Sequence, residues 1–147
     1  MSNIVPLISS GIAGPIGVLH LPRLWLKVSL DARGKLASGY PAIGKGFDKM
    51  VLDGLNLDRD ALVSFISEKR PTYGQFEQWI REQAGAKIDK ESISKLNAAI
   101  SGYNHDDETR RSVVAAAGLS DDEKAPRDAV NLNNLDDWTE FYNAELK

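Results

Sequence analysis

His20, Arg23, Lys27 and Tyr40 are the residues of this sequence whose types and spacing best suit chemistry. Arg23 and Lys27 stand four positions apart. On a helix that separation advances the chain by about 6 Å and returns to nearly the same angle, so both cations can reach one carboxylate or phosphate. The arginine would supply a planar two-pronged contact and the lysine a point charge. His20 precedes the same segment and Tyr40 follows it, which makes the four a candidate ligand-binding group for an anion. The competing structural reading leaves Arg23 and Lys27 as a solvated stripe with His20 capping or packing at the helix start. If Arg23 is instead structural, a buried acid such as Asp48 or Asp53 would be its partner.

Other chemistries lack their residues. Cysteine is absent, which excludes disulfides, thiolate metal sites and a cysteine nucleophile. His20 and His105 are the only histidines, and no His-Glu-x-x-His spacing exists. A metal site would have to be all-oxygen, but Asp106-Asp107-Glu108 and Asp121-Asp122-Glu123 both sit where helices should begin, where acids are ordinary caps and dipole partners. No metal and no cofactor are therefore expected. Serines lack a nucleophile elbow, and the glycines at 11, 14 and 17 lack the strand, helix and lysine of a phosphate loop.

The elements that must position the candidate residues are helical. Pro22 suits the first position of a helix, and Leu21, Leu24, Trp25, Val28, Ala32 and Leu36 recur at helical spacing. The pattern predicts a central helix over 22–37, preceded by an irregular apolar arm over 1–20 and followed by a flexible connection over 38–46. Phe47, Met50, Val51 and Leu55 predict a short helix closed at Gly54. Asp58 caps the next, and the Thr72-x-x-Gln75 capping box opens a fourth along Phe76, Trp79 and Ile80. Asp89 and Asp106 cap two more. Residues 119–133 read as a polar loop with one helical turn. Asn134 then caps a last helix whose stripe, Leu135, Trp138, Tyr142 and Leu146, should dock on the bundle. Trp25, Trp79 and Trp138 are all expected in the core. No window alternates with period two, so the fold class expected is all-α: a single domain, 1–147, of about six or seven helices around the central one.

Composition agrees. The chain of 147 residues is 42% hydrophobic and 27% charged, suited to one soluble domain with a core. Its net charge of −3 divides unevenly: residues 1–87 hold 11 basic and 8 acidic side chains, residues 88–147 hold 7 and 13, giving +3 and −6. That asymmetry is too mild for a nucleic-acid binder. The first 22 residues carry no charged side chain, yet no basic residue precedes the apolar run and prolines and glycines interrupt it, so neither a signal peptide nor a membrane span is expected.

Leu21-Pro22-Arg23-Leu24 followed by Lys27, then Leu52-Asp53-Gly54-Leu55-Asn56-Leu57-Asp58, Phe65 and Trp79-Ile80, resemble the domain-of-unknown-function family numbered 5069, small bacterial helical proteins. The resemblance spans roughly residues 14–100 and is most specific at Leu-Pro-Arg. It implies a free-standing helical cytoplasmic domain of unassigned role and brings no catalytic residue with it. Where that family has an acid before the lysine and an arginine after it, Leu26 and Ser29 stand here. The expected function is a small binding or protein-interaction module. The alternative is an enzyme or small-ligand protein acting on an anionic metabolite through His20, Arg23, Lys27 and Tyr40. A deep pocket at those residues would favour the alternative, and a broad apolar patch would favour a partner protein.

Overall fold

The structure is a computed structural model that describes residues 3–147, so the apolar arm expected over 1–20 is seen from Asn3 onward, with Met1 and Ser2 outside the described residues. Seven α-helices follow one another: α1 Leu21–Ala32, α2 Phe47–Leu55, α3 Arg59–Lys69, α4 Tyr73–Glu82, α5 Lys90–Ser101, α6 Asp107–Ala116 and α7 Ala129–Phe141, with a π-helical segment Tyr142–Leu146 continuing α7. Among the described residues there is no strand, only three isolated bridges. The fold is all-α, and among the described residues no helix is long and apolar enough to cross a membrane.

The expected caps form. The carboxylates of Asp58, Asp89 and Asp106 accept from the amides of Ala61, Ser92 and Thr109. Thr72 and Gln75 complete a reciprocal capping box. Helix α1 packs on α3 and α4, α2 on α5, and α7 on α5 and α6. Leu21, Leu24 and Val28 of α1 are buried with Val51, Leu55, Leu62, Ile66, Phe76, Ile80, Leu96 and Ile100 in one core.

Three boundaries differ from expectation. Helix α1 stops at Ala32 rather than 37: Gly34 turns left-handed at φ 67° and the Lys35 amide returns to the Leu30 carbonyl. Leu36 then pairs with Ile4 in an isolated bridge, fastening the arm. Helix α2 closes at Asn56 (φ 55°), not Gly54, which stays inside the helix because Leu96 of α5 packs where a side chain would be. Helix α7 starts after Asp128, whose carboxylate accepts from the Asn131 amide, so residues 129–133 are helical rather than loop. Consequently Ala129 and Leu132 are the face of α7 that is buried.

The expected stripe on α7 is therefore on the wrong side for docking. Trp138 is 59% exposed, Tyr142 50% and Leu146 66%. Trp25 and Trp79 do pack against the core, partly buried: Trp25 donates its indole N–H to the Pro71 carbonyl and Trp79 stacks on Phe65.

The Ser29 hydroxyl is buried without a hydrogen-bond partner among the described residues. Ser29→Ala removes that orphan and improves helix propensity, so it should raise stability by about 0.5–1 kcal/mol, read as a higher melting temperature.

Candidate functional site: a polar cleft and an apolar face

The structure brings His20, Arg23, Lys27 and Tyr40 together. All four line one cleft of about 340 Å³ between α1, the 39–46 loop, α2 and α7. It does not leave the two cations free, as either sequence reading of them as an anion clamp or a solvated stripe requires. Both are only 6% exposed and each is claimed by a carboxylate of the chain itself.

Arg23 lies one turn into α1, close enough to the arm for its Nη1 to donate to the Pro6 and Ile8 carbonyls at 2.8 and 3.0 Å. The same guanidinium grips Asp137 of α7 in a two-pronged pair at 2.5 and 3.1 Å. Tyr40 donates its hydroxyl to Asp137 Oδ1 at 2.9 Å, so Tyr40 and Arg23 share one acceptor. Burial and then the Asp137 charge push the Tyr40 hydroxyl well above its ordinary pKa, which keeps it a donor. Asp137, not Asp48 or Asp53, is the partner of Arg23; Asp53 is exposed and pairs with Lys49.

Asp48 organises the second network. Its Oδ2 accepts from Lys27 Nζ at 2.5 Å and from the Gly44 amide at 2.8 Å, and its Oδ1 faces His20 Nε2 at 2.6 Å. Burial alone would raise this carboxyl, but the hydrogen bond from His20, the Lys27 charge and the Gly44 amide outweigh it and hold the pKa at about 2. Burial lowers the His20 pKa, offset only in part by Asp48. A neutral imidazole then donates from Nε2 to Asp48 and accepts at Nδ1 from the Ser10 hydroxyl, 2.9 Å away. His20 sits before α1 at φ 72° without capping it through its side chain. Its two ring bonds hold this left-handed turn.

Ser10, His20 and Asp48 are the residue types of a nucleophilic relay. Ser10, however, is fully buried, so no substrate reaches its Oγ, and the string works as a strut between arm, α1 and α2. The glycine-rich arm follows the same rule. The Ile16 amide is occupied by the carboxylate of Glu77, and a side chain at Gly14 would collide with Tyr73 and Glu77. The chain's own anion fills the place a phosphate would need.

Once these pairs cancel, Asp136 and Lys45 remain on the cleft wall with no hydrogen bond or ion pair among the described residues. Asp136 is partly buried, and burial, Asp137 and Glu140 all raise its pKa. The sequence singled out neither residue, because neither has a periodic or motif signal. No group of three or more His, Cys, Asp or Glu side chains among the described residues is arranged to hold a metal ion.

The second candidate surface is the outer face of α7. Leu119 (52% exposed), Leu135, Trp138 and Tyr142 line an open groove of about 600 Å³ beside the end of α6, with Phe141 and Leu146 exposed in the same stretch. Isolated exposed apolar residues are ordinary, but a run of large ones on one helical face is not. Neither a scan against protein-family models nor a search of curated proteins finds a match for this chain.

Proposed function

We propose that the protein is a non-catalytic, cytoplasmic interaction module that docks a partner on the outer face of α7. The observation that carries this reading is the exposure of Trp138, Tyr142 and Leu146 on the continuous α7 and π-helical stretch, with Leu119 beside them. The groove favours an amphipathic helix laid in it through spaced apolar anchors. Charge selects the partner. Residues 88–147 carry −6, and Glu140 and Glu145 belong to the docking stretch itself. A second copy of the chain would bring acid against acid, whereas a helix with a basic flank meets complementary charge. The anionic-metabolite reading loses its support because Arg23 and Lys27 are already neutralised by Asp137 and Asp48. Kinship with the bacterial helical family numbered 5069 belongs to the same proposal. It rests on the Leu21-Pro22-Arg23-Leu24 motif, which opens α1.

A Leu/Lys amphipathic helical peptide is the probe, titrated by calorimetry into the wild type and Trp138→Ala. Trp138 is exposed, so the variant should melt within about 2 °C of the wild type while binding the peptide roughly tenfold or more weakly, the loss usual for an interfacial tryptophan. Equal binding by both proteins, or a stable homodimer in light scattering that Trp138→Ala dissociates, would overturn the assignment.

A further inference from the structure

We propose that the cleft between α1, α2 and α7 is a second site, which binds a free α-amino acid with an apolar side chain, its ammonium at Asp136 and its carboxylate at Lys45. The inference stands on what remains after the internal pairs are removed. Arg23 with Asp137 and Lys27 with Asp48 are charge-neutral, and His20 is held neutral by burial. Among the described residues, that leaves one uncompensated carboxylate on α7 and one uncompensated ammonium on the 39–46 loop. Two opposite unpaired charges on different walls of one cavity suit a ligand that carries both signs, and repel neither end of it.

Lys45 follows Gly44, whose amide meets the Asp48 carboxylate, so the loop that carries Lys45 is fastened to α2. On the α7 side, the Asn133 Oδ1 accepts from His105 Nε2 at 3.0 Å, and Asn133 lines the wall next to Asp136. Ring surfaces line the same cleft. Phe47 meets Tyr103 edge-on at 5.8 Å, and Tyr40 and Pro41 cover the loop side. These walls suit an apolar or aromatic side chain. At about 340 Å³ the cavity lies at the small end of the ~300–1,000 Å³ range for ligand sites, which suits an amino acid and not a nucleotide. Burial and then the charges of Asp137 and Glu140 raise the Asp136 pKa, and an ammonium bound beside it would offset that repulsion.

The test uses phenylalanine and leucine as ligands, with phenethylamine and 3-phenylpropionate as controls that each keep one charge. Binding is followed by calorimetry and by the rise in melting temperature. Phenylalanine should bind, and each single-charge control should bind about tenfold or more weakly, the loss expected for one charge-assisted hydrogen bond. Asp136→Asn should erase the advantage of phenylalanine over 3-phenylpropionate, and Lys45→Gln should reduce its advantage over phenethylamine. Both substituted positions are accessible to solvent, and wild-type circular dichroism checks that each variant folds. No heat and no thermal shift with either amino acid would overturn the proposal. So would variants that bind phenylalanine as the wild type does, or a control that binds equally well. Trp138→Ala should leave this binding unchanged, which separates the site from the α7 docking face.

Discussion

Asp137→Ala should destabilise the protein by about 3–5 kcal/mol, the cost of leaving a buried charge without its partner. Arg23 would keep the Pro6 and Ile8 carbonyls but lose both prongs of its carboxylate, and Tyr40 would lose its acceptor. For a chain of 147 residues this is a fall in melting temperature of roughly 10 °C or more. The effect reaches three parts of the molecule at once, because Arg23 and Asp137 join residues 114 positions apart while the carbonyls bind the arm. Arg23→Ala should fall by a similar amount, and Arg23→Ala with Asp137→Ala by less than the sum, measured as a double-mutant cycle in urea. Strict additivity would mean that the pair contributes nothing. An isosteric apolar replacement of both residues should recover much of the loss, since a buried ion pair mainly costs when half of it is removed.

The second large effect belongs to Asp48. Asp48→Ala strands Lys27 and His20 inside the protein and removes the acceptor of the Gly44 amide, so a loss of about 3–5 kcal/mol is again expected. The same residue sets how the wild type responds to acid. Asp48 titrates near 2 in the folded state against an ordinary 3.8, so its stabilisation is complete above 3.8 and disappears as pH falls toward 2. That shift corresponds to about 2 kcal/mol. His20 acts in the same direction at higher pH. Its folded pKa lies below 6.5, so the unfolded chain takes up the proton first and stability declines as pH drops below 6.5. Asp136 opposes both, because its pKa is raised and its ionisation weakens the folded state as pH rises through that raised value. Urea unfolding at a series of pH values should thus show stability falling from near-neutral pH into acid in the wild type, and a flatter acid limb in Asp48→Asn. An acid limb unchanged in Asp48→Asn would place the pH dependence elsewhere.

Much of the fold is written locally. Asp58, Thr72 with Gln75, Asp89 and Asp106 announce helix starts through bonds to amides three positions on, and the core residues of α1 to α5 repeat at 3.6. Where local signals compete, sequence reading falters. Asp128 and Asn134 both suit a helix start; the earlier one is used, and Leu132 rather than Trp138 turns inward. Helix α7 bears apolar residues on two faces, and which face the bundle covers depends on α5 and α6, not on α7. The end of α1 was hidden for a related reason, since Leu36 continues the helical spacing but serves the bridge to Ile4. The cleft was half legible. Its four residues could be picked out by type and spacing, while the carboxylates that neutralise two of them, Asp48 and Asp137, come from 21 and 114 residues away. No local pattern carries a pairing of that range. An isolated acid such as Asp136 becomes notable only once its neighbours are seen to be paired.

The central claim is that the buried cations hold the fold while α7 meets the partner. Amide chemical-shift mapping of the protein titrated with the Leu/Lys peptide tests it most directly. Perturbations should be confined to residues 116–119 and 135–146, with the amides around Arg23, Lys27 and Asp48 unmoved. Perturbations centred on the cleft residues, with Trp138 and Tyr142 unaffected, would contradict it.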